Sequence, residues 1–475
     1  MRGLGAVLAL VMTMAEVRIL AASGVCGSGF REESLRAGMA KSPHFIGCDG
    51  GSTDPGPYPL GAGTTAFPRA AIKRDLSLML LAARAANVPL LIGSAGTAGG
   101  HPHVALVKAL VLEIAAEHQL SLRLALIHAE QDKDYLLRRL EQGRVTALNP
   151  APVIDASTIE DAERVVGMMG PEPYLRALEE GADVVIAGRS SDCAIFAGIA
   201  IRDGIPAGIA WHAAKILECG AAAVEQRISP DCLFVTCRDE HFDVEPLDER
   251  LRCTPQSVAA HGLYENSDPF RLIESTGTLD IEAAQFEQLD ERAVRVTGSR
   301  FEVADRYSVK LEGATHCGFQ SVLIGSMRDP YLIAQVDDWL ARLRVRLDER
   351  VKQVHGSELK PTDWRLDIRT YGRNGTMGAL EPRADQPSHE LCLMFDVTAP
   401  SQALASSIAA VLRHQALHLP IPEWSGLITT LACPYNPPYL ERGAVYRFCL
   451  NHVVEPDDPY EMFPIEHLSI QKGVA

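Results

Sequence analysis

No Cys-x-x-Cys pair occurs among the eleven cysteines. That removes the usual zinc-ribbon and thioredoxin-type signatures. A chain of 475 residues can bury a large core without a disulfide framework. The thiols, scattered from Cys26 to Cys449, therefore read as reduced and buried, and a cytoplasmic setting is expected. Basic residues are scarce: Lys and Arg number 45 against 61 Asp and Glu, a net charge of -16. Phosphate backbones are bound by clustered cations, so nucleic acid is excluded as a partner. No apolar run approaches the roughly 20 residues of a membrane span, so no membrane partner is expected. There is no GxxxxGK[ST], no GxSxG and no HExxH, which leaves a phosphate-binding P-loop, a serine nucleophile and a zincin site unsupported. Glycines 24, 27 and 29 do not have the GxGxxG spacing of a dinucleotide site. No tightly bound organic cofactor is expected.

What the chain does have is 47% hydrophobic and 22% charged residues, the composition of a globular protein of two or three domains. Residues 1–15 superficially resemble a signal peptide but lack a small-x-small cleavage pattern; an over-extended start is expected, with Met14 as initiator. Beyond them, short apolar runs alternate with amphipathic stretches. Strands are expected at 17–22, 45–48, 88–92, 122–127 and 182–187, with helices at 30–41, 68–86, 104–118, 135–142 and 172–180. Alternation of this kind predicts an α/β fold with a mostly parallel, doubly covered sheet and a smaller C-terminal α+β domain. The expected organisation is an α/β ligand-binding domain over 16–355, carrying an inserted or appended α+β region at about 233–325, then a C-terminal α+β domain at 360–475.

Six segments stand in order along the chain: GSAGTAGGHPHV at 93–104, GADVVIAGRSSD at 181–192, LECGA at 217–221, SVAAHGLYENSDP at 257–269, VKLEGA at 309–314 and YGRNGTMGALEP at 371–382. Together they resemble the AtuA-like (acyclic terpene utilization) family, over nearly the whole chain. The resemblance implies a catabolic setting, the breakdown of acyclic terpenes through acyl-coenzyme A intermediates. The expected substrate is a small carboxylate or its coenzyme A thioester, with coenzyme A entering as part of the substrate. A lyase, hydratase or isomerase is expected; the alternative is a non-catalytic acyl-ligand-binding subunit of a larger complex. A homo-oligomer is expected, with a neighbouring-gene subunit as a further partner.

Ligands on a parallel sheet lie beyond the carboxyl ends of its strands. Glycine-rich turns at 24–29, 47–56 and 93–100 follow such strands. Their amides, with Gly27, Gly96, Gly99 and Gly100 foremost, are candidates for holding an anion; the alternative is that the glycines only permit tight turns. Arg189 and Ser190 follow the strand at 182–187, where an arginine can grip a carboxylate in bidentate fashion. Arg373, in a tight turn, is a second candidate anion contact. Asp49 and Asp192 are candidate bases, although either suits an Asx turn or helix cap. Lys310 and Glu312 stand at i and i+2 on one strand face, as an acid–base pair or a salt bridge. Asp54, His101 and His103 are polar neighbours without a metal-ligand spacing, and no metal is expected. His261, Tyr264 and Glu265 form another titratable set. Cys219 has no evident histidine partner in the sequence, so a covalent nucleophile is unsupported.

Overall fold

The computed structural model describes residues 15–356, 358–423 and 430–472; the expected initiator Met14 lies outside them. The chain divides into two compact units, one of residues 1–315 and 448–475, the other of residues 316–447.

The first unit is built on a ten-stranded sheet, and it is not the mostly parallel sheet that the alternating pattern predicts. Five strands are parallel neighbours: Val17–Ala21, Phe45–Asp49, Leu90–Gly93, Val184–Ala187 and Leu122–Ile127. On one side the sheet continues antiparallel through Leu233–Cys237, His241–Pro246, Val294–Thr297 and Gln285–Gln288. On the other, Ile465–Ile470 joins Leu122–Ile127 antiparallel. Four of the nine pairings are parallel and five antiparallel, so the fold is mixed. The reason is local. Leu233–Cys237 and His241–Pro246 are joined by a turn of only three residues, and so short a connection allows antiparallel pairing alone. Half-buried strands of this middle region then extend the main sheet, and periodicity carries no information about which sheet a strand joins.

The parallel strands are buried on both faces, which is why they read as unbroken apolar runs. Val17, Ile19, Leu91, Ala125 and Val185 point into one core, with helices Ala194–Arg202 and Ala207–Leu217. Leu20, Ile46, Ile92, Leu124 and Ile186 point into the other, against helices Arg69–Ala86 and His101–Glu117. The first two of these helices are largely apolar; Lys215, buried near the end of Ala207–Leu217, has a carboxylate partner described below.

The long strand Val309–Met327 begins in the first unit, where Lys310–Ala314 pairs antiparallel with Arg164–Met168. In the second unit its later residues pair with Leu391–Ala399, which pairs in turn with Arg365–Tyr371. Helices Val336–His355 and Gln402–Leu417 supply the rest of that unit's core, centred on Trp339, Phe395 and Leu412. Among the described residues no helix is long and apolar enough to cross a membrane.

Candidate active site

The turns that follow the parallel strands meet at one rim. Cys26 N donates to Asp49 O at 2.7 Å, Gly50 N to Gly93 O at 2.7 Å and Thr97 N to Gly50 O at 3.0 Å. Ser94 N donates to Gly188 O at 3.0 Å, and Arg189 N to Gly99 O at 3.3 Å. The packing is so close that a Cβ on Gly99 would stand 2.1 Å from Arg189 N, at a φ of +66°. Only glycine fits there.

The amides of these turns are used within the protein. Gly27 and Gly29 both donate to Asp75 Oδ2 at 2.9 Å, so a buried carboxylate from helix Arg69–Ala86 fills the first turn. Gly100 N donates to His103 Nδ1 at 3.1 Å, and Gly99 N to Ala95 O at 3.2 Å. Gly96, with a φ of +64°, packs its Cα side against His103.

Arg189, 4% exposed, is similarly engaged. Its Nε donates to Glu312 Oε2 at 2.8 Å; one terminal nitrogen donates to Ser94 Oγ at 3.0 Å, to Ser190 O at 3.1 Å and to Asp192 Oδ1 at 3.3 Å. Lys310 Nζ lies 3.0 Å from Glu312 Oε1, so the two residues that share a strand face do form a salt bridge. Burial alone would raise the Glu312 pKa, but Arg189 and Lys310 hold it down at about 2. Backbone pairing fixes this arrangement: Met169 N donates to Arg189 O at 3.1 Å, Ser191 N to Met169 O at 2.9 Å, and Met168 stands opposite Lys310. Ser190 Oγ accepts from Tyr174 at 2.9 Å.

Two carboxylates in the field of this arginine are in a different state. Asp49 ends strand Phe45–Asp49 and is buried; its Oδ2 accepts from Gly51 N at 3.0 Å, while Oδ1 is buried with no hydrogen-bond partner. Burial, then the nearby Asp192 charge, pushes its pKa well above the carboxylate range, against the pull of Arg189. Asp192 is raised to about 7, chiefly by burial and again opposed by Arg189. It is the more accessible of the pair, with a third of its side chain open to solvent. An acid with one buried oxygen unbonded and a carboxylate titrating near neutrality, both in the field of one arginine, can give and take protons.

Several charged neighbours escape the sequence reading. Lys215 Nζ lies 2.5 Å from Glu218 Oε1, and Cys193 Sγ donates to Glu218 Oε2 at 3.0 Å. Glu274, raised to about 8 by burial, accepts from Ser191 Oγ at 2.9 Å. Lys215 had a signal, a lone cation within the apolar helix Ala207–Leu217. Glu274 had none, because it arrives from a distant hairpin, Arg271–Glu274 with Gly277–Asp280. His261, remote in sequence, comes up beside Cys219. Arg373 belongs to the second unit and pairs with Asp337 at 2.6 Å. A groove of about 910 Å³ in that unit is lined by Arg365, Arg369, Asp367 and Asp396; its charges largely neutralise one another, as Arg369 with Asp396 at 2.5 Å, and it holds none of the predicted residues.

No curated protein and no solved structure matches the chain. A family model, acyclic terpene utilisation family protein AtuA, matches residues 72–227 and 248–433. Those stretches contain Arg189, Asp192, Glu218, His261, Glu274 and Glu312, leaving Asp49 outside. Most of the chain is thus covered, and the protein belongs to the AtuA family, which is implicated in acyclic terpene utilisation.

Proposed function

We propose that the chain is an enzyme of lyase, hydratase or isomerase type that moves a proton beside the carbonyl of a small carboxylate or acyl-coenzyme A in terpene or branched-acid breakdown. The observation that carries this reading is the Asp49–Arg189–Asp192 group: two carboxyls of raised pKa, Asp192 bonded to a buried guanidinium and Asp49 within its electrostatic reach. Asp192, the more accessible, takes the proton from the carbon next to the carbonyl once it is ionised. Asp49, whose burial favours its protonated form, is the acid that returns a proton or meets charge developing on oxygen. Arg189 is a positioning residue: with Glu312 and Ser94 already bonded to it, it sets the place and pKa of Asp192. Coenzyme A belongs to the substrate in this scheme, and no organic cofactor is required. The buried cysteines suit a reducing, cytoplasmic setting.

The test is solvent exchange. Purified protein is incubated in deuterated buffer with a panel of branched acids and their coenzyme A thioesters, and deuterium at the carbon next to the carbonyl is followed by NMR. Exchange is expected with at least one thioester, and Asp192→Asn should slow it by about 100-fold or more. Exchange unchanged in both Asp192→Asn and Asp49→Asn would remove the assignment.

A further inference from the structure

Glu218, Cys219 and His261 each offer a ligand atom, and these atoms all lie within 4.8 Å of one another. Glu218 and His261 are buried and Cys219 is partly so. We propose that these three side chains bind a zinc ion.

Local structure aims them at a common point. Helix Ala207–Leu217 ends at Glu218, and Gly220, at a φ of +57°, turns the chain sharply behind Cys219. His261 stands near the end of helix Pro255–Gly262, whose start is set by a reciprocal cap: Ser257 N to Thr254 Oγ1 at 3.1 Å and Thr254 N to Ser257 Oγ at 2.9 Å. Ser257 Oγ also donates to Ala223 O at 2.7 Å, tying this helix to the segment just after Cys219. The helix that carries the histidine is therefore anchored at its start.

The independent sign of a ligand is His261 itself. It is 8% exposed, and its Nε2 is buried with no hydrogen-bond partner. A buried imidazole nitrogen ordinarily finds a partner. A metal ion among Cys219, Glu218 and His261 is such a partner. Ligand atoms about 2.0–2.3 Å from a tetrahedral zinc stand about 3.3–3.8 Å apart, so modest side-chain rotation closes the observed spacing.

Donor chemistry selects the metal. One thiolate, one imidazole and one carboxylate form a borderline-soft set that favours zinc over magnesium or calcium, which take oxygen alone. Three protein ligands leave a fourth position for water or substrate. Glu218 already meets Lys215 at Oε1 and Cys193 at Oε2, but a carboxylate oxygen has a second lone pair for the ion. Thiolate and carboxylate bring two negative charges to the dication, and Lys215, bonded to Glu218 Oε1, fixes the carboxylate plane. The inference stands on this geometry and is independent of the reaction proposed above.

The test uses the full chain, stripped with a chelator and dialysed. Zinc is titrated in competition with a chromophoric chelator, and cobalt(II) is titrated separately with its absorption recorded. About one equivalent of zinc per chain is expected, with affinity reduced at least tenfold in Cys219→Ser and in His261→Asn. Cobalt is expected to give a thiolate-to-metal charge-transfer band in the near ultraviolet that Cys219→Ser abolishes. If a variant does not fold, the wild-type cobalt spectrum decides alone. Absence of the thiolate band, less than a tenth of an equivalent of zinc, or equal affinity in wild type and both folded variants would overturn the site.

Discussion

At the scale of single residues, the site is governed by which charges are paired. Arg189 and Glu312 are both buried and bonded at 2.8 Å, so each is the other's compensation for leaving water. Arg189→Ala leaves buried Glu312 with Lys310 as its remaining cation and is expected to cost about 3–5 kcal/mol in chemical denaturation. Arg189→Met with Glu312→Leu, which removes both charges, should recover much of that loss; no recovery would mean that Ser94 and Asp192 matter more than the pair. Asp192 makes the opposite prediction. Its folded pKa of about 7 lies above its ordinary 3.8, so the folded state holds the proton longer than the unfolded chain does. Its contribution to stability is thus greatest below pH 4 and falls as the pH rises to about 7. A rise from 3.8 to about 7 corresponds to about 4 kcal/mol for a group wholly shielded from water. With part of the side chain open to solvent, a gain of about 1–2 kcal/mol is expected for Asp192→Asn at pH 8. The gain should vanish near pH 4, and urea melts at the two pH values would show it. A variant less stable than wild type at pH 8 contradicts the assignment. The sequence placed Arg189 and Asp192 in one turn and marked Glu312 apart from them; the partnership with Glu312 depends on strand Val309–Met327 lying across the turn after Val184–Ala187.

At the scale of elements, the glycine-rich turns were legible as turns and as neighbours on one rim, since each follows a parallel strand. What fills them was not. The carboxylate in the first turn is Asp75, from the middle of helix Arg69–Ala86, bonded to two amides and 0% exposed. Asp75→Asn keeps one oxygen for the two amides but removes the charge that strengthens both bonds and turns an NH2 group toward the Arg74 guanidinium, which donates to Oδ1 at 2.8 Å. A loss of about 2–3 kcal/mol is expected, measured by thermal denaturation with calorimetry. A loss under about 0.5 kcal/mol would show the turn holding itself. Helices were readable from periodicity, but strand partners were not. Glu274 reaches Ser191 because a hairpin folds over, and no pattern within residues 271–280 announces it.

At the scale of the whole molecule, two units with separate cores imply two cooperative transitions on heating. Trp339 tests this, being fully buried in the second unit with its indole N–H donating to Leu419 O at 3.0 Å. Trp339→Ala is expected to cost about 3–5 kcal/mol and to lower one calorimetric transition while the other stays within about 1 °C. A single transition that shifts as a whole would show the units unfolding together.

By itself the sequence determined the alternation of buried strand and amphipathic helix, the glycine turns, the family and the residues most worth examining. Each of these follows from short-range chemistry: side-chain period, backbone freedom and residue type within a few positions. Tertiary structure alone decided that the middle region joins the main sheet antiparallel, that Asp75 fills a turn that reads as open, that Arg189 faces Glu312, and that His261 meets Cys219. All four join segments distant in the chain, and such contacts are selected by packing of the complete core, which no local window of residues contains.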